Sequence, residues 1–246
     1  MNVRSVFKSS RFFNISDCIS GFFVKVTNQL TIACTNYLTN HNTLTIWEQE
    51  NKTINIKIYT CKQLLISYKT HYENALKAME ESPNETPWEC SRVLIFGNMD
   101  TFRLRLKKIK DVMSIALTYS VLDRINISGT EKISNDIKQA FKKISSKPYN
   151  PLAYRSPSFD NDYDIFIKEV EAAEAELQQS LKAKIHQLSN THSMLLLLKR
   201  FERLELDCLC LDRRYLDVAM FLEKEIEQLK DMLVLLHYYY YYYYYY

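Results

Sequence analysis

A chain of 246 residues that is 47% hydrophobic and 25% charged has enough apolar content to bury one or two cores and too much to remain disordered. Its 32 Lys and Arg nearly balance 29 Asp and Glu, leaving +3, which excludes a protein dedicated as a whole to a polyanion, so any basic patch must be local. Three glycines and five prolines are too few for turn-rich β folds or for glycine-dependent nucleotide loops. The expected fold class is therefore all-α: elongated antiparallel bundles of six to seven long helices.

Residues 1–15 are basic and free of acids, superficially like a mitochondrial presequence, and are read as an N-terminal extension. Ser16 and Asp17 then stand as caps before Ile19, Phe23, Val26, Leu30, Cys34 and Leu38, whose spacing predicts a first helix over about 17–39. Asn40 to Thr45 break it. Thr53 is expected to cap a second helix, in which Ile54, Ile58, Cys61, Leu65, Tyr68, Tyr72, Ala75 and Met79 alternate by four and three for four heptads. Residues 16–82 form the first segment, ended by the prolines of "ESPNETPWEC".

A second segment, 83–146, contains "VLIFGNMDTFRLRLKKIK", with Asn98 or Asp100 as the expected cap of a helix over about 98–122. Phe102, Leu106, Ile109 and Met113 make its apolar seam. Arg103, Lys107 and Lys110 flank the seam on one side, and Arg105 and Lys108 on the other, so all five are read as a solvated flank or a protein-facing surface. Acids three or four residues away neutralise part of the charge, and no interleaved aromatics offer base stacking, so no nucleic-acid partner is expected. Ile133, Ile137, Ala140, Phe141 and Ile144 mark a shorter helix.

Three prolines make 147–159 a connector, and a third segment follows at 160–236. Its first helix carries Phe166, Val170, Ala173, Leu177, Leu181 and Ile185 as a seam, with seven acids between Asp160 and Glu176. A single helix surface offers no concave site for paired-carboxylate chemistry, so Asp160, Asp162 and Glu171 are read as solvated or partner-facing. Helices over about 192–205 and 213–236 complete the chain, the last with a strict seam of Tyr215, Ala219, Leu222, Ile226, Leu229, Leu233 and Leu236. These narrow stripes are expected to be sealed against one another. Residues 237–246 hold nine consecutive tyrosines, read as an artefact and left out of fold reasoning.

Six scattered cysteines without CxxC suggest free thiols in a reducing compartment. Cys208 and Cys210 with His186 and His192 are set aside as zinc ligands, because a helical C-x-C points its thiolates apart. Catalytic groups, cofactors and metals are all expected to be absent: the five histidines are read as isolated from plausible Ser or Cys partners by helix spacing, and no elbow, phosphate loop or ligand cluster is found. No stretch reaches the roughly 18–20 apolar residues of a membrane span. Partner contact is instead assigned to Trp47, Trp88 and Phe96 at bundle ends, which alternatively plug the core, together with the charged residues above.

Four blocks, in order, carry a resemblance: "FFNISDCISGFFVKVTNQLTIACTNYL", "WECSRVLIFGNMDTFRLRLKKI", "PYNPLAYRSPSFDNDYDIF" and "FERLELDCLCLDRRYLDVAMFLEKEIEQLKDML". Over about residues 10–236 the chain resembles the N-terminal tail of axonemal dynein heavy chains. The FVKVTNQ and IFG-x-x-x-x-F-x-x-R-L-x-K-I elements look most like the outer-arm, gamma-type branch. The resemblance implies a non-catalytic tail of successive helical bundles that joins heavy chains, carries WD-repeat intermediate chains and anchors the motor to doublet microtubules of a cilium or flagellum. Light chains and docking proteins are further implied partners, and ATP hydrolysis would lie in a distant ring. The chain departs from the pattern at "LELDCLCLDRRYLDVAMF", where an Arg-Pro pair usually leads into the last block. The alternative function is a generic helical adaptor or membrane tether.

Overall fold

The computed structural model describes residues 16–81, 90–124, 127 and 129–245. Among them the chain forms seven α-helices and no strand. They are α1 (Ser16–Leu38), α2 (Asn51–Glu80), α3 (Arg92–Tyr119), α4 (Thr130–Ser145), α5 (Ser158–Gln187), α6 (Thr191–Glu202) and α7 (Leu211–Tyr245), with 3-10 turns at Ser120–Arg124 and Asp207–Leu209. Two compact units result: Met1–Leu117 with Phe141–Phe166, and Thr118–Ala140 with Ile167–Tyr246.

In the first unit, α1 and α2 form an antiparallel hairpin. Phe23 meets Tyr72 edge-on at 4.9 Å, and further along Cys34 meets Cys61. Ile54, Ile58 and Leu65 are fully enclosed, each contributing about 1.5–3 kcal/mol on leaving water. Threonines recur every fourth residue along α1. Thr31, Thr35 and Thr39 each donate to the carbonyl one turn back at 2.9 Å, which satisfies hydroxyls in a face that includes the buried Thr27 and Thr31.

The α1–α2 turn runs through left-handed backbone at Asn40, His41 and Asn42. Asparagine tolerates this region, and the turn is held by Asn42 N donating to Thr39 Oγ1 and Gln49 Nε2 donating to Leu38 O. α2 begins at Asn51, ahead of the expected Thr53 cap; Glu50 occupies the cap position, and Thr53 Oγ1 donates to its carboxylate at 3.3 Å.

α3 starts at Arg92 rather than near Asn98. Ser91 closes its first turn, accepting from Leu94 N and Ile95 N, and Gly97 lies within the helix. Buried Ile95 and Phe96 explain the earlier start: their enclosure outweighs the modest helix cost of one glycine. Phe96 packs on Tyr72 at 5.0 Å and Tyr68 at 6.3 Å, while Thr27 Oγ1 donates to Ile95 O at 3.0 Å.

In the second unit, Phe201, Leu177, Leu181, Leu198 and Leu209 are fully enclosed. Tyr119 donates to Glu174 and contacts Cys208 Sγ at 3.3 Å; Gln178 Nε2 donates to Cys208 O at 2.5 Å. Burial first, and then bonding to Cys208 and Glu174, pushes the Tyr119 hydroxyl far above its ordinary pKa. Asn190 caps α6 by accepting from Ser193 N at 2.8 Å. Gly129, at φ 93°, supplies the left-handed residue before α4.

Two expectations are corrected here. α7 runs on into the tyrosine stretch, where Tyr240 and Tyr244 face each other one turn apart at 4.5 Å. Its seam is also unsealed: Leu222, Ile226, Leu229, Leu233 and Leu236 are all exposed. The reason is length, because α6 has 12 residues against 35 in α7 and covers only its first turns.

Candidate docking surface

The five bases of α3 do not form one flank. Arg105 is buried, its side chain 2% exposed. Nη1 donates to Pro151 O at 3.0 Å and Ala153 O at 3.4 Å; Nη2 donates to Ser156 O at 2.9 Å and Asp160 Oδ2 at 2.7 Å. Its guanidinium lies over the Phe159 ring at 4.9 Å. A planar donor fork suits this arrangement of carbonyls and carboxylate, whereas a lysine would reach fewer of them.

Lys108 completes the arrangement, donating to Asp160 Oδ1 at 2.9 Å and lying over Tyr163 at 4.9 Å. Reading Arg105 and Lys108 as a solvated flank is thus overturned: one turn of α3 fastens the 147–159 connector into the first unit. Partial burial raises the Asp160 pKa, but the Lys108 bond and the Arg105 charge prevail and hold it below the usual carboxylate range.

The candidate acids separate in the same way. Asp160 is occupied by Arg105 and Lys108. Asp162 accepts from Tyr149 Oη at 2.7 Å and pairs with Lys147 at 3.1 Å, contacts that hold its carboxyl low. Both carboxylates therefore brace the connector. Glu171 belongs to the second unit and is exposed. Helix periodicity could not separate these roles, since the partners of both aspartates lie outside their own helix.

On the basic side, Arg103 is half-buried and donates to Asp100 at 3.0 Å, while Lys69 takes the other carboxylate oxygen at 2.7 Å. Lys107 and Lys110 are exposed and have no ion-pair partner among the described residues. The surface that remains consists of Lys107 and Lys110, with Arg103 at its edge. Of the aromatic candidates, Phe96 is 2% exposed and so is a core residue rather than a contact surface. Trp47 is half-buried, packed edge-on to Phe141 at 6.0 Å and stacked on Phe159 at 6.4 Å. Trp88 lies outside the described residues.

Trp47 also lines a cavity of about 780 Å³ between the α1–α2 turn and the connector, with Glu48, Lys147 and Tyr149 on its wall. No convergent set of acid, base and nucleophile accompanies it. Among the described residues no group of His, Cys, Asp and Glu could hold a metal, and no helix is long and apolar enough to cross a membrane. Cys208 and Cys210 do not lie on an α-helix as assumed: Cys208 is in a 3-10 turn and Cys210 is left-handed.

One signal in the sequence singled out Arg105. In the element IFG-x-x-x-x-F-x-x-R-L-x-K-I, the residues spelled out include Ile95, Phe96, Phe102, Arg105, Leu106 and Ile109, all buried, together with Lys108, which holds Asp160. Lys107 falls on an unspecified position and Lys110 outside the element.

A family model described as "Dynein heavy chain, N-terminal region 1" matches residues 1–237. Dynein axonemal heavy chain 5 of Rattus norvegicus is 33% identical over 213 residues, 87% of this chain and 6% of the relative. Dynein axonemal heavy chain 8 of Homo sapiens is 30% identical over 210 residues, 85% of this chain and 5% of the relative. The dynein gamma chain of the flagellar outer arm of Chlamydomonas reinhardtii is 24% identical over 202 residues, 82% of this chain and 4% of the relative. The chain thus spans only a small fraction of the length of these relatives.

Proposed function

Because the chain belongs to the dynein heavy chain family, as an N-terminal tail segment of the axonemal kind, we propose that it is a non-catalytic assembly module. Its place is the axoneme of a cilium or flagellum, where it associates heavy chains and receives the intermediate chains that anchor the motor. Light chains and docking proteins are further partners on this reading. The segments 16–82, 83–146 and 160–236 serve as stiff carriers of the partner-facing side chains, with 147–159 as a braced connector between the last two.

The observation that carries this reading is the division of labour on α3. Arg105 and Lys108 hold the connector from within, while Lys107 and Lys110 stay exposed on the same rigid helix. Exposed charges of one sign steer and orient an acidic protein surface more than they supply affinity. Glu171 in the second unit offers the opposite sign for a basic partner.

Replacing Arg103, Lys107 and Lys110 with Glu tests the assignment. Capture of intermediate chain or neighbouring heavy chain should fall roughly five- to tenfold at low salt and less at high salt, with the helical circular dichroism unchanged. Unaltered capture removes this surface from the assembly.

A further inference from the structure

Cys34 and Cys61 occupy facing positions at the buried interface of α1 and α2, each 2% exposed. The helix register places them there: Phe23 pairs with Tyr72, and moving eleven residues forward on α1 and eleven back on α2 leads to Cys34 and Cys61. Cys61 Sγ donates to the Cys34 backbone carbonyl oxygen at 3.9 Å, which sets the two thiols beside each other. Both are free, and the remaining cysteines of the first unit, Cys18 and Cys90, are exposed and half-buried.

We propose that Cys34 and Cys61 form a latent disulfide site, which a hydroperoxide oxidant closes into a covalent staple between α1 and α2. The contact reaches from the Cys61 sulfur to the Cys34 backbone, so α1 and α2 approach closely at this level. The order of events follows from the pair. The neighbouring Cys61 thiol favours the thiolate on Cys34 and outweighs burial, while the Cys34 sulfur and burial push Cys61 upward. Lys57, one turn before Cys61, adds a nearby positive charge.

With hydrogen peroxide, the Cys34 thiolate attacks one peroxide oxygen, the O–O bond breaks, and a sulfenic acid forms while the departing hydroxide takes up the proton that Cys34 released and leaves as water. The Cys61 sulfur then attacks the sulfenic sulfur; the S–S bond forms and the sulfenic oxygen leaves as a second water, carrying the Cys61 proton. Two thiols lose two electrons and the peroxide gains them. Burial makes peroxide entry depend on local opening of the hairpin, so the reaction is slow in the folded chain and the product is protected once formed.

The test uses the full chain with the exposed Cys18 and Cys210 changed to Ser, treated with hydrogen peroxide, then alkylated and digested without reduction. A peptide linking Cys34 to Cys61, lighter by two hydrogens, is expected, with Tm raised by roughly 5–10 °C and restored by dithiothreitol. Alkylated or over-oxidised Cys34 and Cys61 without the link, or a link that leaves Tm unchanged, overturns the proposal. Cys34→Ser in the same background should abolish both the linked peptide and the Tm shift; persistence of either would also refute it.

Discussion

Arg105 donates to Asp160 at 2.7 Å across 55 residues of sequence, yet the two ends of this bond differ in environment: the Arg105 side chain is 2% exposed and the Asp160 side chain 37%. The arginine is therefore the member that cannot be stranded. Carbonyls of Pro151, Ala153 and Ser156 share its protons, so its loss unpairs a whole loop and not a single carboxylate.

Replacing Arg105 with Leu is expected to cost about 3 kcal/mol, because buried carbonyl contacts and one ion pair are lost together. Arg105→Lys should recover only part of it, since an ammonium lacks the fork that spans carbonyls and carboxylate. Urea denaturation gives the stability change. Limited proteolysis should show cleavage within 147–157 rising before global unfolding; equal protection of that loop in Arg105→Leu would contradict the bracing role.

Acid should loosen the same contact. The Asp160 and Asp162 carboxyls are held below their ordinary range in the folded chain. A depressed carboxyl contributes stability that is fully present above its unfolded pKa of about 4 and is lost as pH falls through the folded value. The urea midpoint should therefore drop between roughly pH 5 and 3. Asp160→Asn, less stable at pH 7, should show a shallower decline; a slope equal to the parent's would remove Asp160 from the linkage.

Leu177 and Leu229 are both seam leucines in the sequence, but only the first is enclosed, at 0% exposure against 57%. Leu177→Ala should cost about 2–5 kcal/mol, as buried large-to-small changes do. Leu229→Ala should stay within about 0.5 kcal/mol. Comparable losses for the two in thermal melts would mean that α7 is covered along its length.

Asn190 at the start of α6 accepts from Ser193 N at 2.8 Å. Asn190→Ala should lower stability by about 1 kcal/mol, and Asn190→Ser should restore most of it, because a hydroxyl satisfies the same amide. Far-ultraviolet circular dichroism during urea unfolding reports both. No difference between Ala and Ser would exclude a capping contribution.

The helices were legible because their signal is local. Ile54, Ile58, Cys61 and Leu65 repeat at the spacing that one helix face demands, and all four are buried. Starts were less legible: Asn98 or Asp100 was the expected cap, yet the enclosed Ile95 and Phe96 carry α3 back to Arg92. The candidate charges were least legible, since a basic residue beside a seam looks the same whether it meets water or a loop 46 residues away. Arg105 shares its helix turn with Lys108 and lies two residues before exposed Lys107, so helix spacing did not distinguish them; only the element that spells out Arg105 and Lys108 did. The exposed seam of α7 keeps the same four-three alternation as the largely buried seam of α2, which shows that periodicity records what a helix is suited to bury and not what covers it.

The brace between α3 and the connector also sets a timetable for synthesis. A ribosome releases α1, α2 and α3 before Asp160, so Arg105 emerges ahead of every carbonyl and carboxylate that later accepts from it. Until the polypeptide has grown past residue 160, water is the partner left to that guanidinium. The first unit thus matures in one late step, and a nascent chain halted upstream of Asp160 would remain open to chaperones and proteases at the very helix that carries Lys107 and Lys110.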